Sequence, residues 1–199
     1  MIKKALYSKR TMKLFLMFFL FYPTIRFINN TWRPIGIYYK IRTNYLQMVG
    51  ALFSMTGSFS SLIFSFLGDK IKFKYLFCFL SFCLTIISFC FPLSFNNDIL
   101  FVFPIIMNAF IYNGFIIIID PFIMKVYGMD NFVEISGFIK VSSGIAEISS
   151  VTLAFYLENY FTGSKDFIYK SMYFISGFSA FISFILGIFE NDDKFNYNN

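Results

Sequence analysis

The sequence predicts an all-α integral membrane protein with six transmembrane helices. The chain has 199 residues, of which 57% are hydrophobic and 14% charged, whereas an ordinary soluble domain has about 25% charged residues. Its mean hydropathy is +0.65, and its apolar residues, including 32 Phe, gather into separate runs. A run of about 20 apolar residues is long enough to cross the hydrocarbon core of a bilayer. This composition excludes a typical cytosolic enzyme, a disordered chain and a nucleic-acid-binding domain.

Six apolar segments are the candidate membrane helices, and short polar or Gly- and Pro-containing connections separate them. The first segment is short and contains Pro23 and Arg26, and the fifth contains two charged residues. In chain order the segments cover residues 14–30, 47–67, 75–95, 99–119, 132–157 and 168–189. They form a bundle over residues 14–189, which follows a basic cytoplasmic segment (residues 1–13) and precedes a polar tail (190–199) that we expect to be disordered.

The basic residues predict the direction in which the chain crosses the membrane. No small-x-small cleavage site follows the first apolar segment, so this segment is expected to be an uncleaved span rather than a signal peptide. With the N-terminus inside, the inner connections and termini hold ten Lys and Arg residues and the outer connections hold five. The positive-inside rule therefore predicts a multi-pass protein with both termini in the cytoplasm.

The second segment carries a stripe of small residues at steps of three and four. The stripe consists of Gly50, Ser54, Gly57, Ser58, Ser61, Ser65 and Gly68. Such a stripe allows another helix to approach closely, or it lines a path for a solute. Both interpretations remain open from the sequence alone.

The fifth segment carries two charges, Lys140 and Glu147, at depths where charges are rare. Insertion of a charged side chain near the middle of a membrane helix costs about 2.5 kcal/mol or more, so such groups face a bundle interior or a wet cavity. Lys140, Gly144 and Glu147 fall on one helical face, but a rise of about 10 Å separates the two charges. Each is therefore expected to meet a partner on another helix, a coupling proton or a solute. The alternative is a buried structural ion pair with another segment.

Three further polar residues are candidates for solute binding. Arg26 lies towards the outer end of the first segment, where it attracts an anion at a vestibule or anchors the helix at the headgroups. Asn108 and Tyr112 share a face of the fourth segment, where they line a cavity or form packing hydrogen bonds. The sequence contains no His, and its three Cys lie in one apolar run without CxxC spacing. We therefore predict no metal site, no cofactor and no enzymatic activity.

The connection after the second segment carries a recognisable loop motif. Asp69, Lys70 and Lys74 match the pattern Gly-x-x-x-Asp-(Arg/Lys)-x-Gly-(Arg/Lys)-(Arg/Lys), while Ser65, Lys72 and Phe73 occupy its other defined positions. With this motif, the chain resembles the C-terminal six-helix half of a major facilitator superfamily transporter. Residues 31–36 and 49–58 look like helices seven and eight of that half. Several stretches between residues 113 and 137 are similar to helices ten and eleven of its oxalate/formate and monocarboxylate-type branch.

This resemblance implies a secondary active transporter, or its C-terminal half, that moves a small organic solute by alternating access. The expected solute is a carboxylate anion, and protons are the candidate coupling ion. The resemblance implies that Lys140 attracts the solute carboxylate. We expect Glu147 to carry a proton or to balance Lys140, and Asn108, Tyr112 and Arg26 to be further solute-binding residues. Asp69, Lys70 and Lys74 are expected to form the inner gating loop.

The implied partners are the lipid bilayer and either a missing N-terminal half or a second six-helix chain, without nucleic acid. A second function remains open, in which the chain is a non-transporting membrane subunit or a degenerate half-transporter that pairs with another membrane protein. In that case Lys140 and Glu147 are structural pairing charges.

Overall fold

The computed structural model describes residues 8–95, 97–160 and 164–190, and six long helices dominate this part of the chain. They are α1 (Lys9–Tyr38), α2 (Thr43–Lys70), α3 (Phe73–Cys90), α4 (Asp98–Tyr127), α5 (Met129–Tyr160) and α6 (Lys165–Ile188), with a short 3-10 turn (Phe91–Ser94) after α3. Five of them, all except α5, are long and apolar enough to cross a membrane. The prediction of an all-α protein with several helices that are able to cross a membrane is confirmed. The sequence of α5 contains Glu134, Lys140 and Glu147.

The helices extend beyond the apolar segments from which they were predicted. Helix α1 continues to Tyr38 with Pro23 and Pro34 inside it, and α4 continues to Tyr127, so Asp120 lies in a helix and not in a connection. The physical reason is that an apolar run marks the hydrocarbon part of a span, whereas backbone hydrogen bonding continues past it. Only Gly128 separates α4 from α5, and its φ of +81° is a left-handed conformation that glycine adopts without steric strain.

Three helices begin at a polar N-cap residue. The side chains of Ser8, Asn97 and Ser164 accept hydrogen bonds from backbone N–H groups in the first turns of α1, α4 and α6. These bonds satisfy donors that have no partner within the helix, so the sequence fixes where each of these helices starts. The predicted termini at residues 1–7 and 191–199, and residues 161–163 of the last connection, lie outside the described residues.

Successive helices run in opposite directions between two ends of the bundle, which we call the Lys9 end and the Tyr38 end after the limits of α1. At the Lys9 end, Glu190 forms ion pairs with Arg10 (2.9 Å) and Lys13 (3.1 Å), although position 190 was predicted to open the polar tail. The hydroxyls of Thr11 and Tyr127 share a hydrogen bond at the same end. At the Tyr38 end, Tyr39 donates a hydrogen bond to Asp166. The first and last described residues therefore lie at the same end of the bundle.

Helices α1 and α4 occupy the middle of the bundle and meet in a cluster of aromatic rings. The Phe115 ring of α4 lies 4.6 Å from Phe21 and 5.2 Å from Phe18 of α1, and 5.8 Å from Phe77 of α3, between centroids. All four side chains are fully buried. Aromatic pairs at such distances add to the stabilisation that burial of their area provides, so this cluster is the centre of the core.

The main helix contacts recur when the first three helices are exchanged with the last three. Helix α2 packs mainly on α4, and correspondingly α5 packs on α1. Helix α3 packs on α4 as α6 packs on α1, and α3 and α6 pack on each other. Because each group has three helices and neighbours alternate in direction, corresponding helices run oppositely. The bundle therefore has the contact pattern of an inverted repeat.

The small-residue stripe of α2 divides between a contact with α4 and an exposed surface. Gly57 faces the side-chain amide of Asn113 on α4, and Gly68 faces Ile118. Ser54 and Ser58 are exposed, and each donates its hydroxyl to the carbonyl of the residue four positions earlier. Their hydroxyls are thus satisfied within the helix, and large apolar side chains such as Met55 and Phe59 are exposed beside them.

Candidate functional site

Arg26, Tyr112 and Glu147 come together from three helices near the middle of the bundle. Arg26 lies about 26 Å along α1 from Lys9, and Glu147 lies about 27 Å along α5 from Met129, at 1.5 Å per residue. Arg26 Nε is 3.8 Å from Glu147 Oε2, and the guanidinium carbon of Arg26 lies 5.1 Å from the centroid of the Tyr112 ring. That arrangement is a cation–π contact. Because α1 continues to Tyr38, Arg26 lies near the middle of the helix, although it lies towards the outer end of the apolar segment that predicted the span.

The Arg26–Glu147 pair has unused hydrogen-bonding capacity. Its separation of 3.8 Å exceeds the usual donor–acceptor range of about 2.7–3.2 Å. Arg26 Nε is buried and has no hydrogen-bond partner among the described residues, whereas the Glu147 side chain is 44% exposed. A guanidinium has five donors and a carboxylate about four acceptor sites. The pair can therefore accept a further polar group without losing an existing hydrogen bond.

Asp120 and Lys140 form a second ion pair, whose partners are in direct hydrogen-bond contact. We call it the closed pair, and we call Arg26–Glu147 the open pair. Lys140 Nζ lies 2.9 Å from Asp120 Oδ1 and donates a hydrogen bond to Asp120 Oδ2 at 3.0 Å. The Ser136 hydroxyl donates to Asp120 Oδ1 at 3.1 Å. This pair lies about 10 Å from Glu147 along α5, towards the Lys9 end. Sequence reasoning missed Asp120 by placing it in a connection; the apolar residues that follow Pro121 were the signal that the helix continues.

Asn108 holds α4 against α1 one turn away from Tyr112. Its side chain is fully buried, and its amide nitrogen donates to Asn29 Oδ1 at 2.6 Å and to the carbonyl of Ile25 at 3.4 Å. Of the two roles that the sequence left open, the structure therefore places Asn108 in a packing contact. That contact fixes the position of Tyr112 relative to Arg26.

The residues of the gating-loop motif lie at the Lys9 end. Lys70 Nζ is 3.9 Å from the centroid of the Phe66 ring, and Lys74 is the second residue of α3. None of the ion pairs within residues 8–95, 97–160 and 164–190 includes Asp69. Asp69 and Lys125 line opposite parts of a cleft of about 260 Å³ between α2, α3 and α4. Asp69 therefore has no cationic side chain within ion-pair distance among the described residues.

Comparison of the chain with protein-family models, with curated proteins and with solved structures found no match. In the described part of the chain, no group of three or more Cys, Asp or Glu side chains is placed to share a metal ion. The chemistry of this region is therefore that of two ion pairs and a tyrosine on a half-exposed face. We call this face, formed by Arg26, Tyr112, Asp120, Lys140 and Glu147, the charged face.

A double-mutant cycle tests the closed pair. We expect Lys140→Met to lower the melting temperature of the purified chain in detergent by about 2 °C, because it leaves Asp120 without its cation. Both side chains are more than one third exposed, so the coupling is expected to be that of a surface pair, below about 1 kcal/mol. Adding Asp120→Asn should restore part of the loss. Strictly additive effects of the two changes would show that the pair is not coupled.

Proposed function

We propose that this chain is a half-bundle of the major facilitator type that moves a small organic carboxylate compound across a membrane by alternating access. The observation that supports this most strongly is the Arg26–Glu147–Tyr112 cluster. Charged groups at this depth are not left in contact with lipid, because their desolvation is too costly. The charged face therefore borders a polar cavity or another protein unit, and its open ion pair is a binding site for a solute.

The exchangeable pattern of helix contacts supports the same proposal. Each six-helix half of a major facilitator transporter contains two three-helix repeats with inverted topology. In this chain the α2–α4 contact corresponds to α5–α1, and α3–α4 corresponds to α6–α1. Solutes bind near the bilayer midplane at repeat interfaces, and the place of Arg26 and Glu147 near the middle of α1 and α5 supports a site at that depth.

The contacts at the Lys9 end of the bundle support α5 as the sixth membrane-crossing helix. Tyr127 at the end of α4 contacts Thr11 at the Lys9 end, and Glu190 after α6 contacts Arg10 there. The chain must therefore return to the Tyr38 end between α4 and α6, and α5 is the connecting helix. Seven described Lys and Arg residues lie around the Lys9 end and five around the Tyr38 end, which supports a cytoplasmic Lys9 end.

A second six-helix unit is the partner that this proposal requires. One half supplies one wall of an alternating-access cavity, and the exposed parts of α2 and α5 flank the charged face. The exposed part of α2 carries large apolar side chains such as Met55 and Phe59 beside Ser54 and Ser58, and such a surface suits packing against a second set of helices. That surface also favours the other candidate function, in which the chain is a non-transporting subunit and the face is used only for pairing.

Uptake by membrane vesicles from the cells that make the chain tests the proposal, because such vesicles contain any partner. We expect Arg26→Gln to reduce uptake of labelled small carboxylates at least tenfold, since the guanidinium is the cation of the open pair. Lys170→Gln is the matched control, because Lys170 pairs with Asp166 within α6 and outside the charged face. Equal uptake by both variants, at equal amounts of chain, would contradict the proposal. Loss of the whole chain without any change in uptake would favour the non-transporting subunit.

A further inference from the structure

We propose that the solute bound at Arg26 and Glu147 is a zwitterion, a small molecule with one carboxylate and one ammonium group, as in an amino acid. This inference rests on the proposed function, and it narrows the class of solute. It follows from the charge balance of the charged face, from the difference between its two ion pairs, and from the space beside Glu147.

The charged face is electrically neutral before any solute binds. Arg26 and Lys140 contribute two positive charges, and Asp120 and Glu147 contribute two negative charges. A carboxylate anion would leave one uncompensated negative charge near the middle of the membrane, where a net charge is expensive. A zwitterion adds no net charge, so the face remains neutral in both its empty and its occupied state.

Only one of the two pairs offers free hydrogen-bonding sites to such a molecule. Both oxygens of Asp120 already accept hydrogen bonds, from Ser136 and Lys140. The Arg26–Glu147 pair is separated by 3.8 Å and has no direct hydrogen bond. The solute carboxylate therefore binds the Arg26 guanidinium, whose planar fork suits bidentate recognition, while the ammonium group binds the Glu147 carboxylate. The Tyr112 ring lies against the guanidinium and fixes its orientation.

The surface of α5 beside Glu147 has room for the rest of the solute. Gly144 lies one turn from Glu147 on the same helical face. A Cβ atom added at Gly144 would meet nothing within 4 Å. Gly144 is exposed, so the lack of a side chain leaves an open stretch of surface, which we call the gap, between the two ion pairs. A solute with a small or medium side group can occupy that gap while its charged groups contact Arg26 and Glu147.

The test compares matched pairs of solutes in the same native membrane vesicles. Each labelled amino acid is paired with the carboxylate that lacks its amino group, for example alanine with propionate and phenylalanine with phenylpropionate. We expect uptake of at least one amino acid to depend on the chain, and its des-amino partner to be taken up at least tenfold more slowly. Glu147→Gln should reduce the amino-acid uptake at least tenfold, because an amide does not balance the ammonium charge.

Two further variants, Gly144→Val and Lys170→Gln, help to distinguish failure of the zwitterion inference from failure of the proposed function. Gly144→Val should also block the amino acid, because it fills the gap without touching either charge, whereas Lys170→Gln should leave uptake unchanged. Chain-dependent uptake of the des-amino carboxylates alone, unaffected by Glu147→Gln, would overturn the zwitterion inference and leave the proposed function standing. Uptake of neither class above that of vesicles lacking the chain would overturn both. The amount and the melting temperature of each variant are measured alongside.

Discussion

Replacing Glu190 by Gln is expected to lower the free energy of unfolding by about 3 kcal/mol, the lower end of the range for breaking a buried ion pair. The Glu190 side chain is only 2% exposed, and its two oxygens lie 2.9 Å from Arg10 Nε and 3.1 Å from Lys13 Nζ. Gln preserves the shape but removes the charge that balances both cations. The cations are themselves 19% and 26% exposed, so water compensates them in part, and this places the effect at the lower end.

The measurement is thermal unfolding of the purified chain in detergent micelles. For a chain of this size, about 3 kcal/mol corresponds to a fall in melting temperature of roughly 6–12 °C. Lys170→Gln is again the control, because its exposed pair within one helix turn contributes about 0.5 kcal/mol or less. If Glu190→Gln melted within the range of that control, Glu190 would not hold α6 against α1.

The consequence of this contact is a fixed geometry at the Lys9 end. Glu190 follows α6, and Arg10 and Lys13 lie in the first turns of α1, so the three residues join the last and the first helix. Arg26 lies farther along α1, about 20 Å or more from these ion pairs. Arg26→Gln leaves the ion pairs of Glu190 intact. The loss of stability in Glu190→Gln can therefore be measured separately from the loss of solute binding in Arg26→Gln.

The sequence was sufficient to predict where the apolar helices lie, because apolar runs and polar connections directly reflect the bilayer. It also identified Lys140 and Glu147, since a charge inside an apolar run is visible without a structure. Arg26 was also identified, but its place near the middle of α1 was not predicted, because the helical part of α1 extends beyond its apolar part. Asp120 was missed for the same reason at the end of α4.

The partners of these charges were beyond sequence reasoning. The helical period shows which residues of α5 share a face, but not which helix covers that face. The pairing of Glu147 with Arg26 depends on α5 packing against α1, and that of Lys140 with Asp120 depends on the turn at Gly128. Both are consequences of the helix order in three dimensions.

The second large effect is expected at Gly114, where α2 and α4 come closest. A Cβ atom added there would lie 2.4 Å, 2.6 Å and 2.9 Å from three ring atoms of Phe64 on α2. Phe64 is only 1% exposed, and its ring packs against Phe110 at 5.3 Å between centroids, so a shift of the ring disturbs this packing. We therefore expect Gly114→Ala to force α2 away from α4 and to destabilise the chain by about 1–3 kcal/mol.

The same substitution by Ala at two other glycines should have smaller effects on the melting temperature. At Gly57 an added Cβ would lie 2.5 Å from the amide nitrogen of Asn113, the end of a flexible side chain that can turn aside, so Gly57→Ala should destabilise less. At Gly144 nothing lies within 4 Å, and Ala has the better helix propensity by about 1 kcal/mol, so that variant should melt at the wild-type temperature or above it. If all three variants melted alike, close packing would not be what holds α2 on α4. If the order is the one expected, the close approach of the two helices at Gly114 and, to a smaller degree, at Gly57 sets the contact between α2 and α4.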